Sequence, residues 1–377
     1  MEMLAAIPHY GFWFLVLLTV LVFVHEYGHY IVARWCGVRV EVFSIGFGPE
    51  LIGRNDKHGT RWKISAIPLG GYVKMFGQGA NLLEGEAGKA MSVEDRKVAF
   101  DYKSVWRRMA IVAAGPIANY LFAALVFSLI FVVHGKDVAA PIIGKVVAGS
   151  AAEQAGLKAG DRIVSLNGTS IGAFEDISLI VQPNLDQELT ITVERDGVAQ
   201  TVHARPTISV EKDIFGDDVR LGRLGIESAG KATRIDLGVG ESIYQGVKRV
   251  FDVSALMLKG LWQIITGVRP ADEIGGALRI GYLSGEIAQI GLLQLITFAA
   301  MLSVNLGLVN LFPIPLLDGG HLTYYGIEAA RGKPLGERTQ EWGFRIGIAF
   351  VLGLMLFATW NDLVFLDVIG KLRALFT

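Results

Sequence analysis

An apolar run near the N-terminus constrains this chain more than any other feature. It extends from Phe12 to Val32, is long enough to cross a bilayer as a helix, and carries two histidines and a glutamate. At 3.6 residues per turn, His25 and His29 lie one above the other on one face, and Glu26 is turned from His25 by roughly 100°. Three ionisable groups on one turn inside a bilayer need a partner, since each costs about 2–3 kcal/mol or more there. The sequence therefore predicts a membrane-spanning helix that holds a metal ion.

The spacing of these residues is that of the His-Glu-x-x-His pattern. In that pattern two imidazoles ligate zinc, and the glutamate stays off the metal as a base for the bound water. We expect His25 and His29 to be zinc ligands and Glu26 to be the catalytic residue. A lone histidine is more often a structural group, so the membrane setting supports this prediction as much as the motif does.

The composition fits a membrane protein rather than an ordinary soluble one. Of 377 residues, 52% are hydrophobic and only 19% are charged. The net charge of −1 indicates no general affinity for nucleic acid. The single cysteine, Cys36, excludes internal disulfides and a thiolate metal site. The first apolar run is not a cleavable signal peptide, because it lacks a basic leader and itself carries the histidines.

Three further spans are predicted, over residues 109–133, 292–311 and 344–366. Basic residues concentrate between the first two spans and between the last two, while the N-terminal leader has no lysine or arginine. Because cytoplasmic loops carry the excess of basic residues, both connections are predicted to be cytoplasmic. The N-terminus and residues 135–291 are then external.

The connection after the first span has the pattern of a β-hairpin. Residues 43–49 are rich in glycine, residues 61–67 alternate polar with apolar side chains, and residues 68–75 read as a turn and a second strand. A hairpin beside a membrane metal site can offer an edge to an extended substrate, with Gly70, Gly71 and Tyr72 as candidate contacts. A plain cytoplasmic hairpin fits the pattern equally well.

The end of the third span offers a third zinc ligand. Pro313 and Pro315 forbid a regular helix there, so Asp318 lies on irregular backbone, which is tolerated at membrane depth only where protein or a cavity surrounds it. Asp318 and the two histidines are predicted at similar depth near the cytoplasmic end, and His321 is the rival ligand. Three asparagines at suitable depth are candidate substrate-binding residues: Asn119, Asn305 and Asn310.

Residues 141–205 have the composition of a soluble α/β domain. Short strands alternate with two short helices, and the Ala-Gly-Leu-x-x-Gly-Asp-Arg-Ile run at residues 155–163 is typical of a PDZ domain, which can bind an extended peptide. Apolar residues at helical spacing over residues 239–268 indicate an amphipathic helix on the outer membrane face or packed on the PDZ-like domain. The predicted divisions are 1–134 (membrane), 135–207 (PDZ-like), 208–288 (linker and amphipathic helix) and 289–377 (membrane).

Taken together, these motifs resemble those of the site-2 protease family of intramembrane zinc metalloproteases. The resemblance rests on the His-Glu-Tyr-Gly-His run at 25–29, the Gly-Pro-x-x-Asn run at 115–119 and the Asn-Leu-Phe-Pro-Ile-Pro-Leu-Leu-Asp-Gly-Gly run at 310–320. It implies an α-helical polytopic membrane protein of about four transmembrane helices, a membrane-associated β-hairpin and one α/β PDZ-like periplasmic domain. It also implies Zn2+ held by His25, His29 and Asp318, with Glu26 as the base.

The resemblance further implies a site in the bacterial cytoplasmic (inner) membrane, with the active site near the cytoplasmic side. The implied substrates are single-pass membrane proteins, such as anti-sigma factors and remnant signal peptides, cut within the lipid bilayer. Enterobacterial members carry two PDZ units, whereas one is predicted here. The alternative from another class is a non-catalytic membrane adaptor with a structural metal; Glu26 argues against it, since a structural zinc site needs no free carboxylate beside the metal.

Overall fold

The computed structural model describes residues 2–78, 91–185, 187–212, 218–230 and 233–367. The helices of this described part are α1 (Glu2–Trp35), α2 (Val93–Val98), α3 (Val105–His134), α4 (Ala151–Gln154), α5 (Phe174–Val181), α6 (Val239–Ile265), α7 (Ala277–Ile290), α8 (Leu292–Asn310), α9 (Asp318–Arg331) and α10 (Glu337–Phe365). The strands are β1 (Val40–Asn55), β2 (Arg61–Met75), β3 (Lys136–Val138), β4 (Ile143–Val146), β5 (Arg162–Leu166), β6 (Thr169–Ser170), β7 (Leu189–Arg195), β8 (Val198–Ala204), β9 (Thr207–Lys212), β10 (Asp218–Arg223), β11 (Ile226–Ser228) and β12 (Thr233–Ile235).

Among the described residues, four helices are long and apolar enough to cross a membrane. They are Pro8–Trp35, Val105–His134, Leu292–Asn310 and Arg338–Phe365, each of which overlaps a span predicted from the sequence. Many of their large apolar side chains are exposed, as lipid-facing residues require. The chain is therefore an integral membrane protein.

The chain divides into two compact units. The membrane unit comprises residues 1–127, 246–254 and 272–377, and the PDZ-like unit comprises residues 128–245 and 255–271. The first contains the apolar spans, except for the last turns of α3.

In the membrane unit, β1 and β2 form a long antiparallel hairpin that leaves the end of α1. The turn between its strands is held against the end of α1 by Asp56, whose carboxylate accepts hydrogen bonds from the Tyr30 hydroxyl (3.0 Å) and the Trp62 indole N–H (3.2 Å). Phe43 stacks on Trp62 at 4.3 Å between ring centroids and is buried. Toward its free end the hairpin exposes a set of apolar side chains: Phe47, Leu51, Ile52, Ile64, Ile67 and Leu69. A water-exposed hairpin would not carry such a set, so this surface is suited to lipid.

The PDZ-like unit is built on the antiparallel sheet β6-β5-β7-β8, with α4 and α5 packed against it. Its core is apolar, and the largest fully buried side chains are Ile143, Ile163, Leu166, Leu185, Leu189, Ile191 and Val193. Two later segments return to the start of the unit, since β11 pairs with β4 and β12 pairs with β3. Residue 207, a division predicted from the sequence, lies within this unit, since three-residue strands such as β11 and β12 leave little signal in a sequence.

Helix α6 packs within the PDZ-like unit, one of the two placements that the sequence offered. Within the PDZ-like unit, its C-terminal half contacts the loop after α5: Lys259 donates to the Asn184 side chain (3.1 Å) and Gln263 to the Pro183 carbonyl (2.5 Å). A separate stripe of apolar side chains remains exposed along the helix: Val239, Ile243, Val247, Phe251, Leu258, Trp262 and Ile265. The helix is therefore amphipathic and also packs on its neighbour.

Candidate metal centre and active site

Three candidate ligand atoms converge inside the membrane unit. The Nε2 atoms of His25 and His29 lie 3.2 Å apart, and Asp318 Oδ2 lies 3.1 Å from the first and 3.4 Å from the second. Among the described residues, these three form the one group of histidine, cysteine or acidic side chains with metal-ligand spacing. Their side chains are at most 18% exposed, so the cluster is largely shielded from solvent.

The size of this triangle suits zinc. Ligands at tetrahedral corners about 2.0–2.1 Å from a zinc ion lie about 3.3 Å from one another, which matches all three separations. The chemistry also fits, since two imidazoles and one carboxylate are one of the donor sets found in catalytic zinc sites. Asp318 Oδ2 is buried and accepts no conventional hydrogen bond from the described residues, so a cation is the partner that this atom lacks.

The Nδ1 atoms of the two imidazoles both contact residues of one helix. His29 Nδ1 lies 2.8 Å from the Ile111 carbonyl, and His25 Nδ1 lies 3.1 Å from the Asn119 carboxamide; both partners belong to α3. Gly115 lies between them on the same face of α3, and a Cβ there would collide with His29 Nε2 and lie 2.9 Å from His25 Cε1. Only glycine leaves room for both rings at this position.

Asp318 reaches the histidines because the chain breaks its helix just before it. α8 ends at Asn310 and α9 begins at Asp318, as Pro313 and Pro315 in the intervening turn predict. A Cβ at Gly319 would collide with the carbonyls of that turn, so glycine lets α9 start tightly against it. Leu316 has φ of 118°, a strained value for a residue with a side chain, and lies at the cavity wall.

The pKa of Asp318 lies below its ordinary value. Burial alone would raise this pKa, but the adjacent imidazoles of His25 and His29 outweigh burial. The group is therefore a carboxylate at neutral pH, the form that binds a metal.

Glu26 and the hairpin face the same cavity, whose volume is about 290 Å³. The Val73 backbone N–H donates a hydrogen bond to the Glu26 carboxylate, so the second strand of the hairpin passes directly over this residue. Glu26 is not one of the three clustered ligands, in keeping with its predicted role as a base.

The predicted site residues divide into those on the cavity wall and those away from it. On the wall lie His25, Glu26, His29, Asp318, Asn310, Tyr72 and His321. His321 is set back on α9, where its ring stacks on Tyr325 at 6.4 Å, and burial lowers its pKa. Away from the wall lie Asn119, Asn305, Gly70 and Gly71. Asn119 is fully buried. Gly71 lies against the side chains of Glu26 and Val22.

Sequence reasoning missed the backbone partners of this site. The Val73 N–H and the Ile111 carbonyl act through main-chain atoms, which carry no signature of residue type. Gly115 enters the sequence analysis only as part of the Gly-Pro-x-x-Asn run, although its position four residues from both Ile111 and Asn119 marks the face that meets the histidines.

Comparison with known proteins identifies the family. The model of peptidase family M50 matches residues 13–354, which is most of the chain. The chain belongs to peptidase family M50. The match includes α1 with its histidines, the hairpin, and the Asp318 turn in one continuous region.

Curated relatives match this chain over nearly its whole length and nearly the whole of their own. A provisionally named zinc metalloprotease of Agrobacterium fabrum is 45% identical over 355 residues, covering 93% of this chain and 94% of its own length. Metalloprotease MmpA of Caulobacter vibrioides is 39% identical and covers 96% of this chain and 97% of itself. Among solved structures, the PDZ domain of an SdrC-like protein from Listeria monocytogenes covers 25% of this chain and 88% of its own, at 16% identity and a TM-score of 0.19.

The prediction of a zinc metalloprotease of the site-2 protease type is confirmed by the family and by these relatives. The chain is an enzyme, and the non-catalytic adaptor is set aside. Its four candidate spans further make it a membrane-embedded member of the family.

Proposed function

We propose that this enzyme hydrolyses peptide bonds within the transmembrane segments of single-pass membrane proteins. The observation that carries the proposal is the triangle of His25, His29 and Asp318, with sides of 3.1–3.4 Å, whose two histidines lie on a helix that is itself a candidate span. A peptidase whose histidine ligands lie inside an apolar helix meets its substrates at that depth. Anti-sigma-factor-like proteins and remnant signal peptides are substrates of this form.

His25, His29 and Asp318 hold Zn2+ in the proposed mechanism, and Glu26 is the general base. When bound, the ion acidifies a water molecule and polarises the scissile carbonyl. Glu26 accepts the proton of the attacking water and then delivers it to the nitrogen of the departing amine. The Val73 N–H orients the Glu26 carboxylate for both transfers, and the buried setting keeps bulk water from competing.

The hairpin presents the substrate to this site. A transmembrane helix hides its carbonyls in internal hydrogen bonds, so it must become extended before attack. In β2, the N–H of Val73 points toward Glu26 rather than toward β1. Gly71 is two residues earlier, so its backbone N–H and C=O lie on the same edge of the strand. An extended substrate strand adds to this edge, with Gly70 and Tyr72 beside it. Asn310, on the cavity wall, binds the unwound backbone, and Asn305 lies on the same helix.

The proposed topology follows from the basic residues of the sequence. The N-terminus and the PDZ-like unit lie in the periplasm, and the active site lies near the cytoplasmic face of the inner membrane. The exposed apolar stripe of α6 rests on the outer leaflet, and the apolar side chains near the free end of the hairpin enter the membrane beside the site. In this scheme the predicted divisions at residues 134 and 288 separate the membrane parts, which carry out catalysis, from the external parts, which control the access of substrate.

The test is cleavage of a model membrane segment by the purified full chain. Wild type should cut inside the apolar segment, as mass spectrometry of the products would reveal. Glu26→Gln should retain about one zinc per chain and lose at least about 10²-fold in turnover, the contribution of a general base. Glu94→Gln, a carboxylate on the short helix α2, is the matched control and should cut like wild type. Wild-type turnover in Glu26→Gln, or cleavage confined to residues outside the apolar segment, would overturn the proposal.

A further inference from the structure

The carboxamide of Asn119 is buried within reach of a metal ligand. It is 0% exposed, and its Nδ2 atom lies 3.1 Å from His25 Nδ1. Its Oδ1 atom is also buried and has no hydrogen-bond partner among the described residues. A group enclosed in this way does not contact substrate, so its role must be exerted through His25.

The chemistry of His25 decides which end of the carboxamide faces it. A neutral imidazole that binds a metal through Nε2 carries its proton on Nδ1, and that N–H needs an acceptor. His29 has one, because the Ile111 carbonyl at 2.8 Å can only accept. An amide NH2 facing His25 Nδ1 would set a donor against a donor. Either orientation leaves one end of the amide without a partner, so the requirement of His25 selects the oxygen.

A half-turn about the Cβ–Cγ bond of Asn119 exchanges the two ends of the carboxamide with almost no change in shape. We propose that Asn119 Oδ1 accepts the Nδ1 proton of His25 and thereby positions this ring, in the correct tautomer, for Zn2+. The inference rests on the zinc site of the proposed function. It makes Asn119 a positioning residue rather than a substrate-binding residue.

The surrounding structure holds Asn119 ready for this role. Its backbone carbonyl accepts a hydrogen bond of 2.9 Å from the hydroxyl of Ser303, which is fully buried on α8. Ile111, Gly115 and Asn119 follow one another at four-residue spacing, so they share one face of α3. That face supplies an acceptor for His29, room for both rings, and an acceptor for His25. One helix thus orients both imidazoles.

The experiment measures the affinity for Zn2+ of the purified full chain by competition with a chromogenic chelator. Asn119→Leu removes the acceptor at similar volume and should weaken Zn2+ binding about 10- to 100-fold, the usual effect of losing such a partner. Asn119→Asp keeps an acceptor and has no donor, so its affinity should stay within about threefold of wild type or rise. Asn305→Leu makes the same change on α8 and should leave Zn2+ affinity unaltered.

Each outcome decides between the alternatives. Wild-type affinity in Asn119→Leu would overturn the inference while leaving the zinc site intact, and failure of wild type to bind Zn2+ would overturn the proposed function itself. Equal losses in Asn119→Asp and Asn119→Leu would overturn it too, because they would mean that the NH2 group is what His25 needs. Circular dichroism of the metal-free proteins checks folding. If Asn119→Leu does not fold, the affinity of Asn119→Asp alone still separates an accepting role from a donating one.

Discussion

The membrane unit and the PDZ-like unit differ in the polar groups that they bury. The membrane unit exposes apolar side chains and encloses polar ones, among them His25, His29, Asn119, Ser303 and Asp362. The PDZ-like unit encloses an apolar core around its four-stranded sheet. Its most buried acid, Asp161, is paired with Arg195 at 2.7 Å. The first arrangement is costly unless every polar group has a specific partner, whereas the second stabilises a fold by burial alone.

This contrast indicates where specificity resides. In the membrane unit, displacing one polar atom would remove a metal ligand or a group that transfers protons, because the interior offers no water to replace that atom. In the PDZ-like unit, a lost methylene costs stability and leaves the chemistry untouched. The two units should therefore fail in different ways when they are mutated.

The largest effect is expected at the metal ligands. Asp318→Asn replaces a carboxylate by a neutral, poorer ligand, so zinc content and turnover should fall together, with turnover reduced at least about 10³-fold as the metal is lost. Metal analysis and a cleavage assay on the same preparation measure both. His321→Ala is the control and should keep its zinc. Full occupancy in Asp318→Asn beside a metal-free His321→Ala would reassign the third ligand.

The next prediction separates the units. Val138 and Thr233 face each other in the β3–β12 pair, so residues 139–232 can be replaced by an Asn-Gly turn that closes this pair as a hairpin. We expect the shortened enzyme to cut a pre-trimmed substrate at the wild-type rate. It should also cut a substrate with a folded external domain about tenfold faster than wild type or more, because the PDZ-like unit excludes such bulk, an effect worth about 1.4 kcal/mol.

Peptide capture by the PDZ-like unit predicts the reverse. Cleavage of short substrates would then fall in the shortened enzyme and recover as substrate concentration rises. Loss of cleavage on both substrates, with the protein still folded and loaded with zinc, would contradict the gating role.

A core substitution in the PDZ-like unit should change stability and spare catalysis. Ile191 is fully buried in the central strand β7, so Ile191→Ala should destabilise the unit by about 2–5 kcal/mol. Faster hydrogen exchange across β7 in the full chain would measure this loss. Turnover of the pre-trimmed substrate should remain that of wild type, and a parallel fall in turnover would show that the two units are coupled.

The smallest effect is expected where substrate binds. Asn310 is on the cavity wall, and one neutral hydrogen bond contributes about 0.5–1.5 kcal/mol, so Asn310→Ala should raise KM by roughly 2- to 10-fold. The zinc content should not change. Asn305→Ala, away from that wall, should raise KM less; an equal or greater rise would place the substrate along α8 instead.

The features that can be predicted from the sequence also differ between the two units. The four spans, His25, Glu26, His29 and the break before Asp318 follow from hydropathy, helical spacing and proline, which are local signals. The return of β11 and β12 to pair with β4 and β3 is non-local, and short polar strands have no period to detect. The accepting role of the Ile111 carbonyl is equally invisible, since every residue has a carbonyl. Depth suggested that Asn119 is functional, but only its 3.1 Å contact shows that it faces a ligand.

The most direct test of the central claim is X-ray absorption at the zinc edge of the wild-type enzyme. Two imidazoles and one carboxylate predict four nitrogen or oxygen neighbours at about 2.0–2.1 Å, with outer-shell scattering from two imidazole rings. That result would identify His25, His29 and Asp318 as the protein ligands, with one position left for water. Scattering from three imidazoles would contradict the account, because it would put His321 on the metal in place of Asp318.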